Sequence, residues 1–291
     1  MDANAFVQEV HISRKAPESF DADYSEFQTY QKLAWNTLKE FVRVCKNNNI
    51  RYELAYGSLL GAIRDHGQIP WDYDIDVFIR AEDRKRLIQV LSSQLGDQYY
   101  FFCPESDPKC THSIIRLAPK GYNTAYLHVD VFFLMALSED EKIAYQQRKK
   151  ISELSILYKA KIYNPFTYGH ITRKEFTLMM NYKLKGIGKN KRIIWKQYLQ
   201  EAENIKFENS KLCCSADRFS DWYVFSSSIM ENTEEIIILG ESFSIPSDYD
   251  QILRIQYGDY ETCPPLDKRL AEMYRHFNFL RKNCPLQKDV Q

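Results

Sequence analysis

The sequence has no excess of charge of either sign: 39 lysines and arginines balance 39 aspartates and glutamates over 291 residues. A dedicated nucleic-acid binder is usually basic overall, so that class is set aside and no nucleic-acid partner is expected. Long apolar runs are also missing. No stretch approaches the roughly 18 uninterrupted apolar residues that a membrane-spanning helix needs. The opening residues, MDANAFVQEVHISRKAPESF, have neither a basic n-region nor an apolar h-region, so no secretory signal is expected. CxxC pairs are absent too. The seven cysteines (45, 103, 110, 213, 214, 263 and 284) are scattered and odd in number, which points to reduced thiols in a cytoplasm. Cys103, Cys110 and His112 are near one another, and Cys213 and Cys214 are adjacent, yet neither group has the spacing of a structural zinc site. There is no internal repeat and no low-complexity linker.

Aromatic residues are plentiful, with 20 tyrosines and 17 phenylalanines, and 44% of the chain is hydrophobic. That composition and length support a sizeable core in one large domain or two small ones. Residues 1–22 read as an irregular arm. Over 24–49, apolar residues at Phe27, Tyr30, Leu33, Ala34, Leu38, Phe41, Val42 and Cys45 recur at helical spacing. Strands are expected at 51–56, 75–79, 99–102, 113–118 and 126–134, with helices at 58–65 and 81–95 between them. This alternation predicts an α+β fold with a mixed-sheet core over 23–137. Residues 138–291 read as a mainly helical elaboration packed on that core, with one clear strand candidate at EIIILG and a last helix near 266–282.

The chemistry concentrates in GSLLGAIRDHGQIPWDYDID, residues 57–76. Asp74 and Asp76 flank Ile75 at the start of an apolar strand, and residues two apart on a strand share a side. Two such carboxylates repel unless something positive lies between them, and a divalent cation with oxygen preference, Mg²⁺ or Mn²⁺, answers that need. An isolated Asp-x-Asp more often marks a solvated acidic turn. Three further features favour the metal. Gly57 and Ser58 follow a strand and open a helix, where small residues let backbone N–H groups approach a phosphate. The order strand, Gly-Ser, helix, loop, Asp-x-Asp strand puts that cradle beside the carboxylates. Asp130 is a lone acid in YLHVDVFFLMAL, where a buried unpaired carboxylate is expensive. Asp130 reads as a third metal ligand or as the group that orients or deprotonates an attacking hydroxyl; a core salt bridge to an arginine is the structural alternative.

At these residues the sequence resembles the LicD family of the nucleotidyltransferase-fold, polymerase β-like superfamily. That pattern is a helix-opening Gly-Ser (Gly57, Ser58), two acids on one strand (Asp74, Asp76) and a third on a later strand (Asp130). The LicD refinement is a GTLLGAxRxxGxIPWDDDID-like segment, from which this chain departs with Tyr73 between Asp72 and Asp74. A second signature, FSIPSDYDQILRIQYGDYETCPP over 243–265, is similar to the family's second conserved segment. The resemblance implies a phosphotransferase that moves a phospho-alcohol group from a CDP-linked donor, such as CDP-choline, to a hydroxyl of a cell-surface glycan or its lipid-linked precursor and releases CMP. Teichoic acid and lipopolysaccharide are the family's known kinds of acceptor, and CDP-ribitol and CDP-glycerol are further candidate donors. Mg²⁺ or Mn²⁺ on Asp74, Asp76 and Asp130 would bridge the pyrophosphate. Two other readings stay open: a nucleotidyltransferase that uses an NTP and releases pyrophosphate, and an inactive nucleotide- or glycan-binding protein.

Around this set, Arg64 is a candidate phosphate contact or a partner of Asp72 or Asp74. Arg116 is a candidate phosphate ligand or a core salt bridge. His128 shares a side with Asp130 and is a candidate lining residue or a core histidine. His66 and Gln68 are expected to be exposed, and Trp71 to fix the loop. Tyr257 of the YGDY turn is a candidate donor contact, with the alternative that this segment only pins the C-terminal part of the chain to the core. The segment 183–196, KLKGIGKNKRIIWK, holds six cations and no acid. It reads as a solvated face or as a patch for an anionic acceptor or a membrane surface. The expected location is cytoplasmic, with peripheral contact at the inner face of the membrane.

Overall fold

A computed structural model describes residues 1–164, 172–217 and 223–287. The heart of the molecule is a seven-stranded mixed sheet. Its strands are β1 (Glu53–Leu54), β2 (Ile75–Arg80), β3 (Tyr99–Phe102), β4 (Ile115–Pro119), β5 (Val129–Leu137), β6 (Leu212–Ser215) and β7 (Val224–Ser226). The order runs β1-β2-β5-β4-β3, and β6, carrying β7, pairs with the second half of β5. Only β2 and β5 run parallel. β5 is the central strand because VDVFFLMAL is apolar on both faces. Every residue of it is buried except Asp130, which is partly exposed.

Helix α2 (Phe20–Asn47) crosses the sheet with Phe27, Tyr30, Ala34, Leu38, Phe41 and Cys45 inward, all fully buried. The periodicity thus places the helix correctly, and it starts a turn earlier than expected. Residues 1–22 are not an irregular arm. They contain helix α1 (Ala3–Ser13), whose first turn is capped by the Asp2 carboxylate accepting from Ala5 N at 2.8 Å. Its two buried residues, Phe6 and Val10, are one helical turn apart, and that is too short a pattern to read as a helix in a polar segment.

The strand expected at 51–56 is only two residues long, and helix α3 (Tyr56–Leu60) begins at Tyr56, so Gly57 and Ser58 sit inside its first turn rather than before it. A π-helical turn, Gly61–Asp65, continues α3. Helix α4 (Arg84–Gln94) follows β2. After β5 come α5 (Glu141–Ile162), α6 (Arg173–Lys185) and α7 (Lys191–Ala202). The region beyond 138 is less helical than expected: besides β6 and β7 it supplies the hairpin β8 (Thr233–Ile238) and β9 (Glu241–Pro246). LCCS and VFS are too short and too little alternating to stand out as strands, and they gain their place by pairing with β5. Helices α8 (Tyr249–Tyr257) and α9 (Leu266–Asn283) complete the described chain.

Candidate active site

The 57–76 segment is folded back on itself by close contacts. The backbone N–H of Gly67 donates to Gly61 O at 3.2 Å. A Cβ on Gly61 would lie 2.6 Å from Gly67 O and 3.0 Å from Ile69 N, so glycine is required for that approach. Gln31 of α2 donates from Nε2 to Ile69 O at 3.1 Å and to Asp72 O at 2.6 Å, pinning the loop from the other side. Trp71 is buried against Phe6 at 5.5 Å, with the Arg64 and Arg269 guanidinium groups over its ring at 5.4 and 5.3 Å. It therefore fixes the loop, as expected; His66 is exposed and Gln68 half-buried.

The turn into α3 is strained. Tyr56 has φ +43°, a left-handed value for a large side chain, and its ring is wedged against Phe78 and Phe132 at 4.9 and 5.1 Å. Next to it the Ser58 hydroxyl accepts from Asp76 N at 2.8 Å, tying α3 to the start of β2. Gly57 faces Asp72, whose Oδ2 would be 3.6 Å from an added Cβ. Gly57, Ser58, Asp72 and Asp74 line one small cavity, so the Gly-Ser turn and the acidic loop do meet.

Register does the rest. Asp76 of β2 is paired with Asp130 of β5, and Asp130 is paired with Arg116 of β4. The three side chains form one row across three strands about 4.8 Å apart. Asp74 lies just ahead of β2. Its carboxyl is raised to about 8 by its crowded surroundings and by the Asp72 and Asp130 charges. Asp76 is pushed well up by burial and then by Asp130, Asp74 and Asp72, and its carboxylate takes no hydrogen bond or salt bridge among the described residues. Asp72 is also raised by burial, although its carboxylate accepts from Tyr73 N at 2.8 Å and Asp74 N at 3.3 Å.

Asp130 behaves in the opposite way. Burial would raise it, but Arg116 and His128 hold it well below the usual carboxylate range. Arg116 Nε donates to Asp130 Oδ1 at 2.8 Å, and His128 Nε2 is 3.3 Å from the same oxygen. The remaining Arg116 nitrogens reach Asp130 Oδ2 at 3.4 Å, Thr124 O at 3.3 Å and His112 Nε2 at 3.0 Å. Burial and then Arg116 lower His112 to about 2, so it is a neutral imidazole that accepts from the guanidinium. His128 Nδ1 is buried without a hydrogen-bond partner.

A cavity of about 130 Å³ opens beside this row, lined by His112, Arg116, Asp130, Lys159 and Asp217 among others. It shares Thr111 and His112 with a cleft of about 1210 Å³ bordered by Tyr100, Phe102, Lys109, Lys120 and Tyr122.

Not every expected residue is where it was placed. Arg64 does not pair with Asp72 or Asp74. Its guanidinium donates to the fully buried Asp65 carboxylate at 2.7 Å, its adjacent partner in the π-helical turn. Tyr257, at the end of α8, is 42% exposed, and α8 packs on α3, the helix that carries Gly57 and Ser58; the Tyr257 hydroxyl is raised by its surroundings and then by the Asp76 charge. Residues that sequence reasoning missed include Asp217, just after β6, and Lys159 of α5. His276 of α9 was missed as well; its Nδ1 comes within 3.4 Å of Asp72 Oδ1 without hydrogen-bond geometry. His112 was noted only for its nearness to Cys103 and Cys110; both thiols are buried.

The Asp74 and Asp76 carboxylates fit a hard divalent cation, since each destabilises the other and Asp76 has no cationic partner of its own. Asp130 fits less well, because Arg116 and His128 already occupy it. Among the described residues, no three His, Cys, Asp or Glu side chains converge into a ready ligand set.

A mixed sheet with a strand-helix Gly-Ser turn and acids on two parallel neighbouring strands is a nucleotidyltransferase-like α+β fold. Comparison with known proteins makes this more specific. Residues 49–170 match the family described as LicD/FKTN/FKRP, nucleotidyltransferase domain. The lipopolysaccharide cholinephosphotransferase LicD of Haemophilus influenzae is 22% identical over 246 residues, covering 81% of this chain and 91% of that protein. The human ribitol 5-phosphate transferase FKRP is 42% identical over 60 residues, which is 21% of this chain and 12% of that protein. An uncharacterized Rickettsia typhi protein is 34% identical over 95 residues, 29% of this chain and 31% of that one.

Proposed function

We propose that the chain is a metal-dependent phosphotransferase. It moves a phospho-alcohol group from a CDP-linked donor to a hydroxyl of a cell-surface glycan or its lipid-linked precursor, releasing CMP. The observation that carries this reading is the row Asp76–Asp130–Arg116 across β2, β5 and β4, with Asp74 and the Gly57-Ser58 turn at its end. The LicD and FKRP relatives are named for transfer of phosphocholine and ribitol 5-phosphate, which supports a phospho-alcohol as the transferred group.

Asp74 and Asp76 would hold Mg²⁺ or Mn²⁺, which when bound neutralises pyrophosphate charge. Arg116 presents a planar guanidinium to the same space and keeps Asp130 ionised. A carboxylate held this low is a poor base, so Asp130 serves to orient the acceptor hydroxyl by accepting its hydrogen bond. The hydroxyl oxygen bonds to the donor's β-phosphorus, the bond from that phosphorus to the bridging oxygen breaks, and CMP leaves with the electron pair. The hydroxyl proton passes to solvent. His128, which approaches Asp130, and Tyr257 are candidate contacts to the donor.

The test is a thermal-shift panel of CDP-choline, CDP-glycerol, CDP-ribitol, CMP, CTP and ATP, each with and without Mg²⁺ or Mn²⁺. A ligand that prefers the native state raises the melting temperature by mass action. A metal-dependent shift with one CDP-alcohol, lost in the Asp74→Asn/Asp76→Asn variant and followed by CMP release, supports transfer and names the donor. A shift confined to NTPs with pyrophosphate as product replaces this reading with nucleotidyl transfer.

A further inference from the structure

The tip of the α6–α7 hairpin presents a surface that the transfer chemistry does not use. Leu184 in the last turn of α6, Ile187 in the connecting turn and Ile193 in the first turn of α7 are 63%, 74% and 59% exposed. Three large aliphatic side chains within ten residues of one another make a patch, not the scattered apolar exposure of an ordinary surface. Their exposure is built into the fold. In α7 the inward face is taken by Ile194, Trp195 and Tyr198, which leaves Arg192, Ile193 and Lys196 on the outer stripe. In α6 Met179 is the one buried side chain, packed with Ala160 and Tyr163 in a small cluster of its own. The turn itself is held firmly: Lys161 Nζ donates to Gly186 O at 3.0 Å and Lys189 N to the same oxygen at 3.0 Å. Beyond it, Gly188 has φ +75° with nothing within 4 Å of an added Cβ, so the tip points into open space.

Cations surround the aliphatic patch. Lys183 and Lys191 turn inward to Tyr163 O and Pro108 O, both at 2.8 Å. Lys185, Lys189, Arg192 and Lys196 are exposed, and the last three make no salt bridge among the described residues. No acid lies between 183 and 196, in a chain whose total charge is zero.

We propose that this hairpin tip docks on an anionic phospholipid bilayer, with Leu184, Ile187 and Ile193 entering the interface and the four exposed cations contacting lipid phosphates. Bare aliphatic side chains among flexible cations suit that boundary, where long cationic stems keep their heads in the headgroup layer. A protein partner is the poorer fit, because lysine is depleted at the centre of protein interfaces. Single-stranded nucleic acid is poorer too, because base stacking needs aromatic side chains and the patch has none. The position has a consequence for substrate supply. Pro108, which Lys191 holds, lies between Asp107 and Lys109 on the border of the large cleft, so a docked hairpin sets the cleft mouth beside the bilayer.

The test is co-sedimentation of the full chain with vesicles of phosphatidylcholine alone and of phosphatidylcholine mixed with phosphatidylglycerol. Binding is expected only to the anionic vesicles and should weaken at high salt. Ile187→Ser/Ile193→Ser and Lys189→Gln/Arg192→Gln should each weaken it by about tenfold while leaving the melting temperature unchanged, since these side chains are exposed. Equal binding to both vesicle types, no binding to either, or unchanged binding by both variants would overturn the proposal. So would capture by heparin without vesicle binding, which marks a site for soluble polyanions. A dimer in solution that the Ile187→Ser/Ile193→Ser change dissolves would instead assign the patch to a second copy of the chain.

Discussion

Arg116 is the residue on which both the electrostatics and the shape of the site depend. It holds the Asp130 carboxylate with two nitrogens and spends its third on His112 and Thr124 O. Arg116→Ala leaves a largely desolvated carboxylate with only His128, and the expected cost is about 3 kcal/mol, read by urea unfolding at neutral pH. Arg116→Lys should recover only part of that, since an ammonium cannot replace the planar fork. The pH dependence has a definite sign. The folded carboxyl of Asp130 is depressed below its ordinary value of 3.8, so its contribution is present above that value and is lost as pH falls through the folded one. Arg116→Ala should therefore hurt most at neutral pH and progressively less in strong acid. Asp76→Asn should act the other way. It removes one of several mutually repelling carboxylates, so the melting temperature should rise by about 2–4 °C. The proposed metal-dependent transfer should meanwhile fall by about a thousandfold, the loss of several kcal/mol of transition-state stabilisation. A variant that is more stable and inactive separates a functional carboxylate from a structural one.

At the scale of elements, the loop between α3 and β2 depends on a single close approach. Gly61→Ala puts a methyl group 2.6 Å from Gly67 O, against backbone that has no room to yield. The expected cost is about 1–3 kcal/mol, measured by thermal melting, together with a loss of ligand-induced shifts as Asp72 and Asp74 are displaced. Strand β1 holds a different kind of stress. Glu53 is fully buried; its Oε1 accepts from the Ser244 hydroxyl at 3.1 Å, and its Oε2 has no partner. Burial, reinforced by Glu235, raises its carboxyl from 4.5 to about 8 despite the Ser244 hydrogen bond. The protonated form is the one the fold prefers, so this contribution is complete below about 4.5 and is lost as pH rises through about 8. Glu53→Gln should leave the melting temperature nearly unchanged at pH 5 and raise it clearly at pH 9. Much of this architecture was legible in the sequence. The helical period of α2, the apolar run of β5 and the acids at the head of β2 each carry a local signal, and parallel pairing turns the last two into a site. β1 was overread because RYELAY looks extended over its whole length, whereas only Glu53 and Leu54 pair with β2. β6 and β7 were missed because their stability comes from β5 and not from their own pattern.

At the scale of the molecule, the acidic loop is held by parts of the chain far from it in sequence, which is why those supports could not be read in advance. Nothing in RHFNF announces that His276 will face Asp72, or that its ring will meet Tyr73 edge-on at 5.2 Å. The same holds for Trp71. Its setting is assembled from Phe6 of α1, Arg64 of the π-helical turn and Arg269 of α9, and Arg269 is in turn fixed by Glu9 of α1 at 2.6 Å. Residues near both ends of the chain thus close over the back of the loop that presents Asp72, Asp74 and Asp76. Phe6→Ala opens a cavity where Phe20, Tyr24 and Trp71 meet, and the expected cost is about 3–5 kcal/mol. If α1 is only a stabilising cover, Phe6→Leu, which refills most of the space, should restore both stability and transfer. If α1 positions the loop, Phe6→Leu should recover most of the melting temperature while KM for the donor stays raised, because a leucine does not reproduce the tilted ring contact with Trp71. The expected result is the second. Stability and KM measured together on the two variants decide it, with a blue-to-red shift of tryptophan emission in Phe6→Ala reporting solvent entry at Trp71.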